Sequence, residues 1–334
     1  MGKRILVIGG AGFIGWHMVK MLREAGFPVT VLDNLATGHA GLVPDCDFIS
    51  GTIERREDVE AALRQSGAAA VMHFAGHSQV GESAQIPELY YRVNAGGMKN
   101  ILDAMVSVGI FGLIFSSSAA VYGAPEQRYI AEHHPLRPIS PYGATKQIAE
   151  RMAEDYGRAY GINTVALRYF NAAGCGADIA LRENHTPETH LIPLVLAEAA
   201  RIRAGGDPAG TTLKIYGDKA DTPDGTCVRD YVHVSDICSA HLLALRRLLA
   251  GAVFGLESLN LGTGHGHSVL EVIAGAREVT GMDIRWQNCA ARQGDPARLV
   301  ADPAMAARQL GWVAQHNDLR AIIRSAWRAM PPEK

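Results

Sequence analysis

Tyr142 and Lys146 stand four residues apart in SPYGATK, and Tyr142 is the one tyrosine of the chain with a lysine at that spacing. Ser140 can N-cap a helix whose first position suits Pro141, so the phenol and the ammonium come to lie one turn apart on one face. A cation beside a phenol favours the phenolate. It would draw a group with a reference pKa of about 10 toward the range of a working general base. Side chains at i and i+4 often do no more than decorate a helix; the surrounding chain decides between a surface pair and an acid/base pair.

The first apolar run, ILVIG, leads into GGAGFIG, with Gly9, Gly12 and Gly15 at three-residue spacing ahead of an apolar-periodic helix. Such glycines allow a tight turn, close backbone approach to a pyrophosphate and close helix–strand packing, and the helix N-terminus offers free N–H groups to the anion. A second strand ends at Asp33, 18 residues past Gly15. A carboxylate there accepts a hydrogen bond from a ribose 2′-hydroxyl and repels a 2′-phosphate, so NAD is expected rather than NADP. GTGHGHS at 262–268 also follows a strand, but no strand-terminal acid follows it in register. It reads as a turn with Ser268 capping the helix VLEVIAGARE.

The elements that must position these groups alternate strand and helix up to about residue 172. RILVIG, PVTVLD, AAAVMHFAG, FGLIFSSSA and INTVALRYFN read as strands, with helices over 13–25, 87–106 and 141–160 between them. That alternation predicts an α/β fold, a Rossmann-type doubly wound parallel sheet. Residues 1–173 are expected to form the NAD-binding domain, joined by a returning strand and helix near 230–264. Residues 174–334, richer in glycine, proline and aspartate loops, are expected to form a smaller C-terminal α/β domain for the substrate, with helical stretches at 191–203 and 234–250.

Composition narrows the partners. The 334 residues are 48% hydrophobic, with 32 basic and 34 acidic side chains mixed along the chain and a net charge of -2. This gives no footprint for nucleic acid or an anionic membrane. No run approaches the roughly 20 apolar residues of a membrane span. The glycine-broken start does not read as a signal peptide, and the expected location is cytoplasmic. Five cysteines without a CxxC pair suggest buried thiols in a reducing compartment. His73 reads as a packed strand histidine, Cys175 as a loop thiol, and His185 and His190 as a loop feature without the carboxylate or third ligand a metal site needs; no metal is expected. Asn184 begins an N-x-T tripeptide that carries no meaning without a secretory signal.

With GGAGFIG, VLDN, FAG, FSSSAAVYG, SPYGATK and LRYFN in order, the chain resembles the extended short-chain dehydrogenases/reductases. TPDGTCVRDYVHVSD, NLGTGHGHS, ARQGDPARLVAD and QLGW carry the likeness on to the UDP-glucose (UDP-galactose) 4-epimerase family over nearly the entire length. The resemblance implies inversion at C4 of a UDP-sugar through a 4-keto intermediate on NAD. Tyr142 would be the base, Lys146 would lower its pKa and hold the nicotinamide ribose, and Ser118 would bond the reacting 4-hydroxyl. The cofactor would meet Gly9, Gly12, Phe13, Ile14, Gly15, Asp33, Asn34, Gly38, Ile53, Phe74, Ala75, Gly76, Asn94, Ser116 and Phe170, besides Tyr142 and Lys146. The substrate would meet Asn171, Thr189, His190, Leu191, Tyr216 beneath the uracil, Arg229 and Arg292 on the diphosphate, Asp295 on the ribose, and Leu299. The resemblance also implies a homodimer formed through two helices of the first domain.

The chain departs from the family pattern at Thr52 before Ile53, at His77, Ser78 and Gln79 where a lysine usually follows FAG, at Thr189 and His190 in place of an asparagine pair, and at Leu299 after GDPAR. UDP-N-acetylhexosamines and UDP-xylose/arabinose therefore stand beside UDP-galactose/glucose as substrates. A nucleotide-sugar 4,6-dehydratase would need an acidic pair just before VYG, and Ala119 and Ala120 cannot shuttle protons. A non-catalytic NAD-sensing protein would be expected to lose the tyrosine or the lysine, and both are present.

Overall fold

The structure is a computed structural model that describes residues 2–38, 46–178, 182–183, 187–292 and 295–330. The chain opens with β1 (Ile5–Ile8), wholly buried, and turns through Gly9 into α1 (Phe13–Glu24), which Ala25 and the left-handed Gly26 close. Next come β2 (Val29–Asp33), β3 (Asp47–Ser50), α2 (Arg56–Ser66), β4 (Ala70–His73) and α3 (Val80–Gln85). The helix expected over 87–106 is a composite: α4 (Pro87–Tyr90), a π-helical stretch at Tyr91–Gly96, and α5 (Gly97–Val108). β5 (Gly112–Ser118), α6 (Pro141–Tyr160) and β6 (Asn163–Tyr169) follow.

The second half holds β7 (Asn171–Ala173), α7 (Leu191–Arg203), β8 (Lys214–Tyr216), β9 (Val228–His233), α8 (Val234–Leu249), β10 (Leu256–Leu261) and β11 (Gly266–Ser268). It ends with α9 (Val269–Thr280), β12 (Gln287–Cys289), β13 (Arg298–Leu299), α10 (Ala304–Leu310) and α11 (Leu319–Ala329). Among the described residues no helix is long and apolar enough to cross a membrane.

Seven strands form one parallel sheet in the order β10-β6-β5-β4-β1-β2-β3. Both faces are covered, as parallel sheets require. Alternate residues of β1 feed opposite layers: Ile5 and Val7 pack with Met18, Ile237 and Leu245, while Leu6 and Ile8 pack with Leu63, Met98 and Phe115. The sheet is the doubly wound fold that the strand–helix alternation predicts. β3, not expected from the sequence, is an edge strand whose side chains are mostly exposed, so it carries no apolar run. A smaller sheet centres on β9, which pairs with β7, β11 and β13. Near it Val195, Ile215, Ile273 and Ile323 form a separate core.

Among the described residues four imidazoles are buried, those of His17, His73, His233 and His241, and burial lowers the pKa of the first. Desolvation pushes His73 down to about 3 and both His233 and His241 down to about 4. An unfolded chain protonates its histidines near 6.5, so between about 6.5 and 4 it binds protons that the fold refuses, and stability falls as the pH falls. Thermal melting should show a lower midpoint at pH 5 than at pH 7. Because desolvation is not screened by salt, the difference should persist in 1 M NaCl; equal midpoints at the two pH values would contradict it.

Candidate active site

α6 begins where its sequence dictates. The Ser140 side chain accepts the Gly143 N–H at 3.1 Å, Pro141 occupies the first turn, and Gly161 at φ +78° ends the helix. Tyr142 and Lys146 therefore share a face, and that face meets the carboxyl end of β5. The Lys146 ammonium, buried, donates to the Ser116 carbonyl at 2.8 Å and lies 4.9 Å from the Phe115 ring centroid. Ser118, the last residue of β5, acts on the Tyr142 phenol and favours its ionised form. Ser118 in turn caps the short 3-10 turn Ala119–Tyr122 by accepting the Ala120 N–H.

The electrostatics correct one expectation. Burial pushes the Tyr142 phenol above its ordinary value, and Ser118 opposes that shift only in part. Burial also pulls Lys146 down to about 8, against an upward push from Glu150. Lys146 sits 5.9 Å from the Tyr142 ring centroid, so its charge does not by itself overcome desolvation. The sequence argument counted the neighbouring cation and left out the dehydration that both groups share.

Around the turn after β1, the glycines are required by contact. A side chain at Gly15 would run into the Gly9 carbonyl, and one at Gly9 (φ +81°) into the Ala75 backbone. Gly12, the N-cap of α1, faces open space, has no side-chain cap, and has no acidic residue in the following turn. Its N-terminal amides are thus left for an anion. Phe13 and Ile14 open the helix, and Ala11 lies against Gly38, where a Cβ would come within 2.9 Å of the Ala11 carbonyl. The Asp33 carboxylate accepts the Ala11 and Leu35 N–H groups at 2.9 and 2.8 Å, with Asn34 next to it taking the Ala36 N–H. This uncapped helix start beside a strand-terminal acid fits the diphosphate and ribose of a dinucleotide.

Phe74, Ala75 and Gly76 extend β4 toward the same crevice. Gly76 (φ +136°) leaves no room for a side chain, because a Cβ would stand 2.7 Å from Asn94 Oδ1. Asn94, in the π-helical stretch, accepts the His77 N–H and donates to the His77 carbonyl and to Thr145 Oγ1. It locks the loop after β4 to α6. Ile53 packs under Gly97, and Phe170 is buried at the end of β6.

On the opposite side, Asn171 starts β7, while Thr189 and His190 lead into Leu191, the first residue of α7. Arg229 pairs with Asp295 and stands in register beside Leu299. Arg292 lies with its guanidinium 3.9 Å from the Tyr216 ring centroid. Two residues assigned separately to phosphate and uracil are thus stacked on each other. Contrary to expectation, carboxylates do gather at His190: against the desolvation that lowers it, Glu183 and Glu188, approaching Nδ1 at 3.0 and 2.9 Å, raise the imidazole to about 10. His185 and Asn184 lie outside the described residues.

Sequence reasoning missed Asp230. Fully buried in β9, it accepts from the Thr263 N–H and hydroxyl at 2.8 and 2.7 Å, the Gly264 N–H at 3.0 Å and the Ala301 N–H at 3.2 Å. It ties the 262–265 loop, whose turn reading holds and whose Ser268 caps α9 with Glu271 in a capping box, to the strand that carries Arg229. The available signal was an acid beside an arginine inside a strand that is otherwise mostly apolar, VRDYVH.

A family model for the NAD dependent epimerase/dehydratase family matches residues 5–262. The chain belongs to this family. It is 45% identical over 326 residues to a UDP-glucose 4-epimerase of Lactobacillus helveticus, covering 97% of this chain and 96% of that protein. The crystal structure of UDP-glucose 4-epimerase from Brucella ovis in complex with NAD superposes with a TM-score of 0.91 at 44% identity, covering 98% of each chain. That of Bifidobacterium longum, in complex with NAD+ and UDP, gives 0.90 at 32% identity and 98% coverage of each.

Replacing Asp230 by alanine would strand three N–H donors, that of Ala301 fully buried. The expected loss is about 3 kcal/mol or more of unfolding free energy, since bonds to charged acceptors are each worth roughly 1.5–3 kcal/mol. Urea denaturation followed by circular dichroism measures it, and a shift below about 1 kcal/mol would show that the loop is held by other means.

Proposed function

We propose that this chain inverts the configuration at C4 of a UDP-sugar, UDP-galactose/UDP-glucose foremost, as an NAD-dependent epimerase. The observation that carries the reading is the Tyr142/Lys146 pair on one face of α6, with the buried Lys146 ammonium held on the Ser116 carbonyl at 2.8 Å and Ser118 at the end of the same strand acting on the phenol. Near-full-length identity to UDP-glucose 4-epimerases supports it.

NAD would be held by the turn Gly9–Gly15, Asp33, Gly76, Asn94 and Lys146, and when bound it supplies a hydride acceptor that also gives the hydride back. Tyr142 takes the proton from the sugar 4-hydroxyl at its phenolic oxygen and later returns it, with Ser118 orienting that hydroxyl. Lys146 steadies the phenolate. Arg229 and Arg292 anchor the diphosphate, because guanidinium forks bond phosphate in a bidentate way. Asp295 engages the ribose, and Tyr216 offers its ring to the uracil once Arg292 turns to the phosphates. Holding the substrate by its nucleotide leaves the 4-keto sugar free to present its other face.

Leu299, beside Arg229, borders the sugar and bears on whether an N-acetyl group is accepted. The same reading extends to a cytoplasmic homodimer, supported by exposed Val80, Ile86, Tyr91 and Ile148 on helical segments that touch one another.

Purified protein given UDP-galactose, UDP-N-acetylgalactosamine and UDP-xylose without reductant should yield the 4-epimer of at least the first, resolved by chromatography. Tyr142→Phe should lower kcat by about 10²–10⁴-fold, the usual worth of general acid–base catalysis, while UDP binding by calorimetry stays within a few-fold. Undiminished turnover in that variant, or a net oxidised product from the parent protein, would overturn the reading.

A further inference from the structure

Consecutive serines of β5 face successive turns of α6: the Ser116 carbonyl takes the Lys146 ammonium, Ser117 donates its hydroxyl to Glu150 Oε1 at 2.6 Å, and Ser118 acts on the Tyr142 phenol. Glu150 is only 3% exposed and lies one helical turn beyond Lys146, as Lys146 lies one turn beyond Tyr142. Its carboxylate also accepts Arg168 Nε at 2.9 Å, Arg168 Nη2 at 2.6 Å and Ser258 Oγ at 3.3 Å. One side chain therefore ties α6 to three neighbouring strands, β5, β6 and β10. An acid this deeply buried costs several kcal/mol of desolvation before its partners compensate. The half-buried Tyr142 at i, the buried Lys146 at i+4 and the clamped acid at i+8 thus follow one another along one face of α6.

We propose that Glu150 is a positioning residue for the Tyr142/Lys146 pair: its clamped carboxylate keeps the Lys146 ammonium charged and fixes the register of α6 on β5. The inference rests on the functional reading above for its consequence in catalysis. Its physical content concerns Lys146 alone.

The surroundings of Lys146 leave the carboxylate this task. From β4 the lysine faces His73, buried and neutral; from β5 the Phe115 ring and the Ser116 carbonyl; from its own helix Tyr142 and Glu150. Of these only Glu150 acts upward on the ammonium, against desolvation. Arg168, which would act the other way, turns to Glu150, the Tyr122 hydroxyl and the Glu132 carbonyl. The guanidinium is thus spent on holding the acid in place.

The test uses the full-length protein labelled with [ε-13C]lysine, with the Lys146 resonance assigned from a Lys146→Arg sample. In Glu150→Gln the midpoint of the Lys146 titration should fall by about one pH unit, the size expected for losing a neighbouring opposite charge. The alkaline limb of the kcat profile on UDP-galactose should move down with it, and KM should change little. Glu150→Asp, which keeps the charge, should leave the Lys146 midpoint near the parent value and restore most of kcat. Removing one partner of a buried ion pair can unfold a protein. If Glu150→Gln does not fold, the double variant Glu150→Gln/Arg168→Gln removes both charges and is read in the same way, with a midpoint still below that of the parent. A folded variant lacking the carboxylate whose Lys146 titrates at or above the parent midpoint would overturn the proposal. Since the titration needs no substrate, it decides this point even if no UDP-sugar is converted.

Discussion

A cation taken out of water and set against a strand end governs the arrangement of the larger lobe. Lys146 is buried among Phe115, His73 and Tyr142, and its one strong fixed contact is the Ser116 carbonyl at 2.8 Å. A charge in such surroundings is tolerable only if every neighbouring element is held where its dipoles and rings face the ammonium. Much of the fold can be read as meeting that demand. The N-cap at Ser140 sets the helical phase of Lys146, parallel pairing of β5 with β4 and β6 sets the height of the carbonyl, and Asn94 with Thr145 closes the remaining side.

The smaller lobe is organised on a different principle. Its strands are short, and β7, β11 and β13 gain order by pairing with β9, where the buried Asp230 replaces apolar packing with bonds to backbone N–H groups, while β8 and β12 pair with each other. Arg229 projects from the residue next to that anchor and finds Asp295, while Arg292 rests on Tyr216. Charged groups that already have partners in the free chain cost less to keep ordered, and each partner is one that a phosphate or a base can displace.

How far the sequence could be read depends on whether a feature is local. α6 was legible to the residue because a serine, a proline and a glycine punctuate it, and the turn after β1 because Gly9 and Gly15 stand where contact forbids anything larger. β3 was missed because an exposed edge strand has no apolar alternation to reveal it. β7, β8, β11, β12 and β13 were not foreseen because strands of two or three residues exist only by virtue of partners distant in the chain. Among the expected site residues, spacing fixes the relative placement of those carried by one helix or turn, whereas the Arg292–Tyr216 stack and the carboxylates at His190 arise from encounters between segments that spacing does not encode. The shift on Tyr142 was misjudged for a related reason: burial belongs to the assembled fold, and no count of neighbouring charges contains it.

The π-helical stretch from Tyr91 to Gly96 carries a consequence for how this chain can vary in length. A π turn accommodates one residue more than an α turn, and helical residues advance by about 100° each. Deleting any single residue there would let the segment relax into uninterrupted α-helix and swing Asn94 away from the loop it clasps. Substitutions in this stretch can be absorbed by repacking, but a one-codon deletion could not, so the segment is constrained in its count of residues more than in their kind.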